Sequence, residues 1–172
     1  MQETIVYNSA SDLPEIDPMQ FRKVLSKYAT GVAVVTGRDD KEKKVGLTIN
    51  SFASVSLDPP LILWSISKNS MNKSAFEEGK SFCVSILSDN QEDVAKKFCS
   101  KEEDRFSGID VCHSDKNNYY INDSAGYIEC VAQNNIDSGD HIIIIGKVES
   151  IQSGSEASNP LVFHNGRFKN IK

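Results

Sequence analysis

The sequence has no Cys-x-x-Cys pair, no long apolar run, no excess of basic residues and no glycine-rich cradle, and each absence removes a class of function. Its cysteines, Cys83, Cys99, Cys112 and Cys130, lie 16, 13 and 18 residues apart, and His113, His141 and His164 are equally scattered. That spacing predicts neither a metal site nor dithiol chemistry; it predicts inert thiols in a reducing compartment. Apolar runs such as Ile142 to Ile145 stop at four or five residues, against roughly 20 needed to span a bilayer. The acidic N-terminal stretch lacks an apolar h-region, so no targeting peptide and a cytoplasmic location are expected. Nineteen Lys and Arg against 24 Asp and Glu give a net charge of −5. Four of those carboxylates, Glu3, Asp12, Glu15 and Asp17, precede the first base, leaving the rest of the chain at −1. Without clustered base there is little counterion release to drive binding, and no nucleic-acid partner is expected. The ten glycines never fall into G-x-G-x-x-G or P-loop spacing, and no G-x-S-x-G elbow occurs.

What is present suits one domain: 172 residues, 39% hydrophobic and 25% charged, enough to build a core without a disulfide or metal staple. Residues 1–16 show no sustained period and read as an N-terminal arm, with 17–172 as the domain. Asp17-Pro18-Met19-Gln20 is a helix start, with an Asp cap, proline in the first turn and Gln positioned for a capping box. Phe21, Val24, Leu25 and Tyr28 then place one apolar face at helical spacing. Strands are predicted over 31–36, 45–52, 61–66 and 82–87, then over 127–134, 141–151 and 161–168. Ser70 to Glu78 reads as a short helix closed by Gly79. A further helix is expected from Ser88, where Ser88-x-x-Gln91 repeats the capping-box pattern, with Val94, Ala95 and Phe98 inward. Ile142 to Ile145, apolar at every position, predicts a strand covered on both faces. Residues 100–118 read as a long loop. Strands without regular βαβ alternation indicate a mainly β protein, a mostly antiparallel barrel with peripheral helices.

Two segments carry more small polar groups than a core strand should. In Gly46-Leu47-Thr48-Ile49-Asn50-Ser51-Phe52, three polar side chains interrupt an apolar strand, and each buried one must find a partner or cost about 1–3 kcal/mol. A polar ligand or a hydrogen-bonded strand edge would account for them. In Ser65-Ile66-Ser67-Lys68-Asn69-Ser70, hydroxyls, an ammonium and the start of the expected helix converge, which suits an anion such as phosphate. A plain N-cap beside a solvated lysine is the alternative.

The sequence resembles the flavin reductase-like family of FMN-binding split-barrel proteins, in particular the reductase components of two-component flavin monooxygenases. Five pieces carry the resemblance in order from Asp17 to Phe168: DPMQFRKVLSKYATGVAVVT, GLTINSFASVSLDPPLILWSI, KSFCVSILSDNQEDVAKKF, GDHIIIIGKVE and PLVFHNGRF. The resemblance implies that Gly46, Leu47, Thr48, Asn50 and Ser51 line the flavin ring. It implies that Ser65, Ile66, Ser67, Lys68, Asn69 and Ser70 hold the ribityl and phosphate, with Lys68 and Ser70 foremost. A basic residue near Lys97 is expected by the phosphate or adenine, with Lys96 its neighbour in the same position to within one. His141 is expected beside the nicotinamide, and Phe163, His164, Asn165 and Gly166 on the pyridine-nucleotide side, although His164 departs from the aromatic-basic pairs of that segment. Without the resemblance, His141 reads as a strand-start histidine satisfied by a turn carbonyl. Trp64, Phe76, Phe82 and Phe98 read as core.

The implied activity is hydride transfer from NADH or NADPH to FMN or FAD by a homodimer that supplies reduced flavin to a partner monooxygenase. Such chemistry needs aligned cofactors rather than a catalytic acid or nucleophile. The alternative is a flavin-binding electron carrier or sensor that retains FMN without a nicotinamide site.

Overall fold

A computed structural model of the chain describes residues 15–114, 117–155 and 158–171; the expected arm falls almost wholly outside them. Helix α1, Pro18–Leu25, starts as expected, with the Asp17 carboxylate accepting from the backbone N–H of Met19 (3.0 Å) and Gln20 (3.4 Å). Strands β1 (Thr30–Gly31), β2 (Ala33–Arg38) and β3 (Lys44–Ile49) follow, then β4 (Ala53–Leu57), β5 (Pro60–Ser67) and β6 (Ser81–Ile86). Helix α2 (Glu92–Cys99) precedes β7 (Val111–His113), β8 (Tyr119–Ile121), β9 (Gly126–Ser138), β10 (His141–Ser153), β11 (Leu161–His164) and β12 (Arg167–Asn170). Every pairing is antiparallel. Seven strands form one sheet in the order β3-β2-β6-β9-β10-β5-β4, a three-stranded sheet joins β1, β11 and β12, and β7 pairs with β8.

Alternation along the strands makes two cores. On the inner side of the large sheet, Val35, Ile62, Trp64, Ile66, Phe82, Val84 and Ile144 pack with Phe76. Trp64, Phe76 and Phe82 meet edge to face at 4.9, 5.9 and 6.2 Å between centroids, a geometry favoured by their ring quadrupoles. Gly146 makes room for this cluster, since a Cβ there would stand 2.7 Å from Phe82. On the outer side of β2, Val32 and Val34 pack with Leu87, Ala95, Phe98, Ile121 and Leu161. Strand β2 is therefore buried on both faces.

Several elements differ from the sequence reading, and the segment 100–118, read as a loop, contains β7, held by its pairing with β8. The segment 70–78 forms only a four-residue 3₁₀ turn, Lys73–Phe76, without a side-chain cap. The helix expected from Ser88 begins at Glu92, with Gln91 at its cap position and no side-chain cap bond, while the Ser88 hydroxyl donates to the Asp123 carbonyl. Only the reverse half of the capping box forms, with Gln91 Oε1 accepting from the Ser88 N–H at 2.9 Å. The strand expected over 161–168 is a hairpin that turns at Asn165-Gly166, both left-handed (φ 52° and 73°), the Asn-Gly chemistry of a two-residue turn. Ile142 and Ile144 join the inner core, but Ile143 and Ile145 are only half-buried. Ile142 is itself only partly buried against that core, so of this run Ile144 alone is fully buried and β10 is not covered on both faces.

Helix α1 has its apolar face, yet no residue of it is buried: Phe21, Val24 and Leu25 are 51%, 68% and 54% exposed. No helix among the described residues is long and apolar enough to cross a membrane.

Candidate active site

Strand β5 alternates, sending Ile62, Trp64 and Ile66 inward and leaving Leu63, Ser65 and Ser67 on the outer face. Strand β10 is in register with it, His141 opposite Ser67 and Ile143 opposite Ser65. Directly paired residues share a face, so Ser65, Ser67, His141 and Ile143 form one outward patch. The two polar segments singled out in the sequence meet here. Ser51 Oγ accepts from the Ser65 N–H at 3.0 Å and donates to the Ser65 carbonyl at 3.4 Å, fastening the chain after β3 to the outer end of β5. Asn50, beside it, is exposed.

Beyond β5 the chain turns through Lys68, Asn69 and Ser70. The Ser67 and Ser70 hydroxyls accept from the N–H of Asn69 (3.2 Å) and Asn72 (3.3 Å). Each acts as an acceptor there, which leaves its O–H hydrogen to donate outward. The Lys68 N–H donates to the Asp140 carbonyl at 3.0 Å, and Lys68 Nζ lies 3.4 Å from Asp137 Oδ1. No α-helix begins here, so the anion-holding capacity of the segment rests on these hydroxyls and the ammonium, not on a helix terminus.

His141 opens β10 half-exposed, with Nδ1 2.8 Å from the Asp140 carboxylate. The hydrogen bond from His141 holds the Asp140 carboxyl below the usual carboxylate range, and Arg22 of α1 adds a smaller attraction. With Nδ1 donating to Asp140, Nε2 is the nitrogen left for an incoming group. Asp137 and Asp140 were not among the expected site residues; the Asp-Ser-Gly-Asp turn carried the signal, as it brings carboxylates beside both Lys68 and His141.

Other expected residues also make contacts within the chain. Gly46 lies against α2, where a Cβ would stand 2.5 Å from the Phe98 ring. The Thr48 hydroxyl donates to the Ala95 carbonyl at 2.7 Å. Both serve packing of α2 on β3. Leu47 packs on the inner core, and Ile66 is buried in it, so neither side chain faces the patch. On α2, Lys96 pairs with Glu92 at 2.8 Å in the open, whereas the less exposed Lys97 pairs with Glu102 at 3.1 Å. Lys97 is thus the lysine turned toward the body. The hairpin carrying Phe163, His164, Asn165 and Gly166 is tied elsewhere. Phe163 pairs with Thr30 and stacks edge to face on Phe168, and the Asn165 N–H donates to the Ser26 carbonyl. None of its hydrogen bonds among the described residues reaches His141.

Two polar cavities lie away from the patch, one of about 510 Å³ around Ser88, Asn122, Tyr120 and Tyr127 and one of about 470 Å³ around Arg38, Lys80 and Asn118. The patch itself is an open sheet face. The donor set fits a phosphorylated ligand with an extended polar ring: one ammonium, two free hydroxyl hydrogens and an exposed amide at one end, a half-covered apolar strand at the other.

Known proteins resemble the chain along most of its length. Residues 25–172 match the family model described as flavin reductase like domain. The reductase subunit HsaB of a flavin-dependent monooxygenase from Mycobacterium tuberculosis is 39% identical over 159 residues, 92% of this chain and 84% of that one. A flavin reductase from Pseudomonas putida is 41% identical over 151 residues, 88% and 89% of the two chains. Among solved structures, an NADH:FAD oxidoreductase from Streptomyces globisporus, in complex with NAD and FAD fragments, superposes with a TM-score of 0.85 at 30% identity, over 93% of this chain and 98% of that one. Nitrilotriacetate monooxygenase component B from Mycobacterium thermoresistibile gives 0.85 at 37% identity, over 90% and 86%.

Proposed function

The chain belongs to the flavin reductase-like domain family, and from that premise we propose that it reduces flavin on the outer face of β5 and β10 and hands it to a partner monooxygenase. The oxidoreductase activity, with NADH and FMN or FAD, and the split-barrel fold rest on the family. The location of the site rests on one observation: the register that sets His141 opposite Ser67, beside Lys68 and Ser70.

A bound flavin supplies the hydride-accepting ring and the nicotinamide supplies the hydride. The chain's own contribution is alignment. Lys68 with the Ser67 and Ser70 hydroxyls holds the phosphate end, and Lys97 adds positive charge from α2. Ser51 keeps the backbone after β3 fixed against β5, which sets Asn50 and the adjacent backbone along the ring edge. Gly46, Leu47, Thr48 and Ile66 act from behind, by shaping the strands that carry those groups. His141, oriented by Asp140, presents Nε2 to the nicotinamide, and the Phe163–Gly166 hairpin serves the same nucleotide.

Residues 17–172 make up the reductase domain in this reading, with 1–16 an arm, and the protein works as a homodimer in the cytoplasm. Two surfaces support the dimer: the apolar face of α1, largely exposed among the described residues, and the half-buried Ile143 and Ile145 on the outer side of β10. A second copy covering β10 also closes a site that a single chain leaves open.

The test is oxidation of NADH and of NADPH followed at 340 nm, with FMN, FAD and riboflavin added in turn and a control without flavin. Rapid flavin-dependent oxidation is expected. Flavin binding without oxidation by either nucleotide would make the protein a carrier or sensor and His141 a structural histidine.

A further inference from the structure

Lys68 is the one ammonium within 65–70, and the fold gives it a partner before any ligand arrives. Asp137 stands opposite Ile142, which in turn stands opposite Ile66. The register thus puts Asp137 in the row of Ile142 and Ile66, and at the end of that row, where the chain turns out of β5, its carboxylate meets Lys68 Nζ at 3.4 Å. The approach is not a chance meeting of two loose side chains. The Lys68 backbone is held at both ends, its N–H by the Asp140 carbonyl and its carbonyl by Lys73 Nζ at 3.2 Å. The other carboxylate of the turn, Asp140, is already engaged by His141. Asp137 is 80% exposed and Lys68 38%, so the pair can open into water without stranding a buried charge.

From this we infer that Asp137 is an internal competitor of the flavin phosphate: it occupies the Lys68 ammonium in the free protein and must be displaced when a phosphorylated flavin binds. The inference rests on the proposed role of Lys68. Its consequence is a weakened hold on FMN and FAD, with no effect on a flavin that has no phosphate. As the flavin leaves, the pair re-forms and returns part of the lost attraction, so release is eased at the cost of affinity. That is a useful property where flavin is a passing substrate, and a harmful one where it is a permanent group.

The experiment measures dissociation constants of FMN and riboflavin by quenching of flavin fluorescence, for the natural chain and for D137N, D137E and K68M. Removing the competitor in D137N should tighten FMN about twofold to fivefold, the range an exposed ion pair spans, and leave riboflavin unchanged. D137E, which keeps the charge, should resemble the natural chain. K68M should weaken FMN against riboflavin, and in that background D137N should lose its effect beyond a nonspecific charge contribution. The gain in D137N should also shrink in about 1 M salt, where the screening length falls to roughly 3 Å. If K68M weakens FMN while D137N leaves it unchanged or weakens it too, Asp137 is no competitor and the phosphate assignment stands. If K68M leaves the FMN to riboflavin ratio unchanged, the assignment of Lys68 falls and the inference with it.

Discussion

The inner aromatic cluster and the apolar face of α1 are written in the same alphabet and meet opposite fates. Trp64, Phe76 and Phe82 are wholly buried, interlocked with one another inside the large sheet. Phe21, Val24 and Leu25 follow a helical period just as regular, and more than half of each stays exposed. The period tells which side of an element seeks cover, but only the tertiary partner provides it. For the aromatic cluster that partner is the same chain. For α1 the homodimer proposed above would supply it from a second molecule.

The sharpest way to break this contrast is to truncate one member of each. Trp64→Ala should lower unfolding stability by about 3–5 kcal/mol, read by denaturant titration as a shift in midpoint. The buried thiols give the next largest effect. Burial pushes Cys83 and Cys130 up to about 12, so about one in a thousand of each is thiolate at pH 9. Alkylation of the native protein at that pH should modify the exposed Cys99 and leave both buried cysteines intact until the fold is opened with denaturant.

On the other side of the comparison, replacing Phe21 and Leu25 together by Ser should change single-chain stability by no more than about 0.5 kcal/mol per site. Sedimentation should instead show dissociation to monomer at concentrations where the natural chain stays dimeric. A double variant that unfolds like Trp64→Ala, regardless of protein concentration, would erase the distinction. The smallest effect belongs to Asp17→Ala, which removes the two cap hydrogen bonds of α1. A cap is worth about 1 kcal/mol, and since no residue of α1 is fully buried among the described residues, the loss should stay local. Amide exchange should quicken over Phe21–Leu25 while the global midpoint holds.

The same division explains what could be read from the sequence. Signals whose partners lie a few residues away were legible. The Asp17-Pro18 start appears where local chemistry puts it. Signals whose partners are distant were not. Ser88 looked like a cap until Asp123, 35 residues on, took its hydroxyl. Thr48, expected along the flavin, also donates to a helix carbonyl 47 residues away, which no local pattern announced. Asn165-Gly166 is the exception, a local turn signal in plain view within a segment read as one strand.

The filled interior has one more consequence. Because Ile62, Trp64 and Ile66 point one way along β5 and Ser65 and Ser67 the other, neighbouring letters of the chain answer to different demands. The inward set is locked by its neighbours, and a change there must be matched by others. The outward set is held more lightly, by single hydrogen bonds such as the one the Asn69 N–H donates to the Ser67 hydroxyl, and otherwise faces the open side of the sheet. A lineage built on this strand can therefore try new guests one letter at a time, with the architecture that displays them left standing.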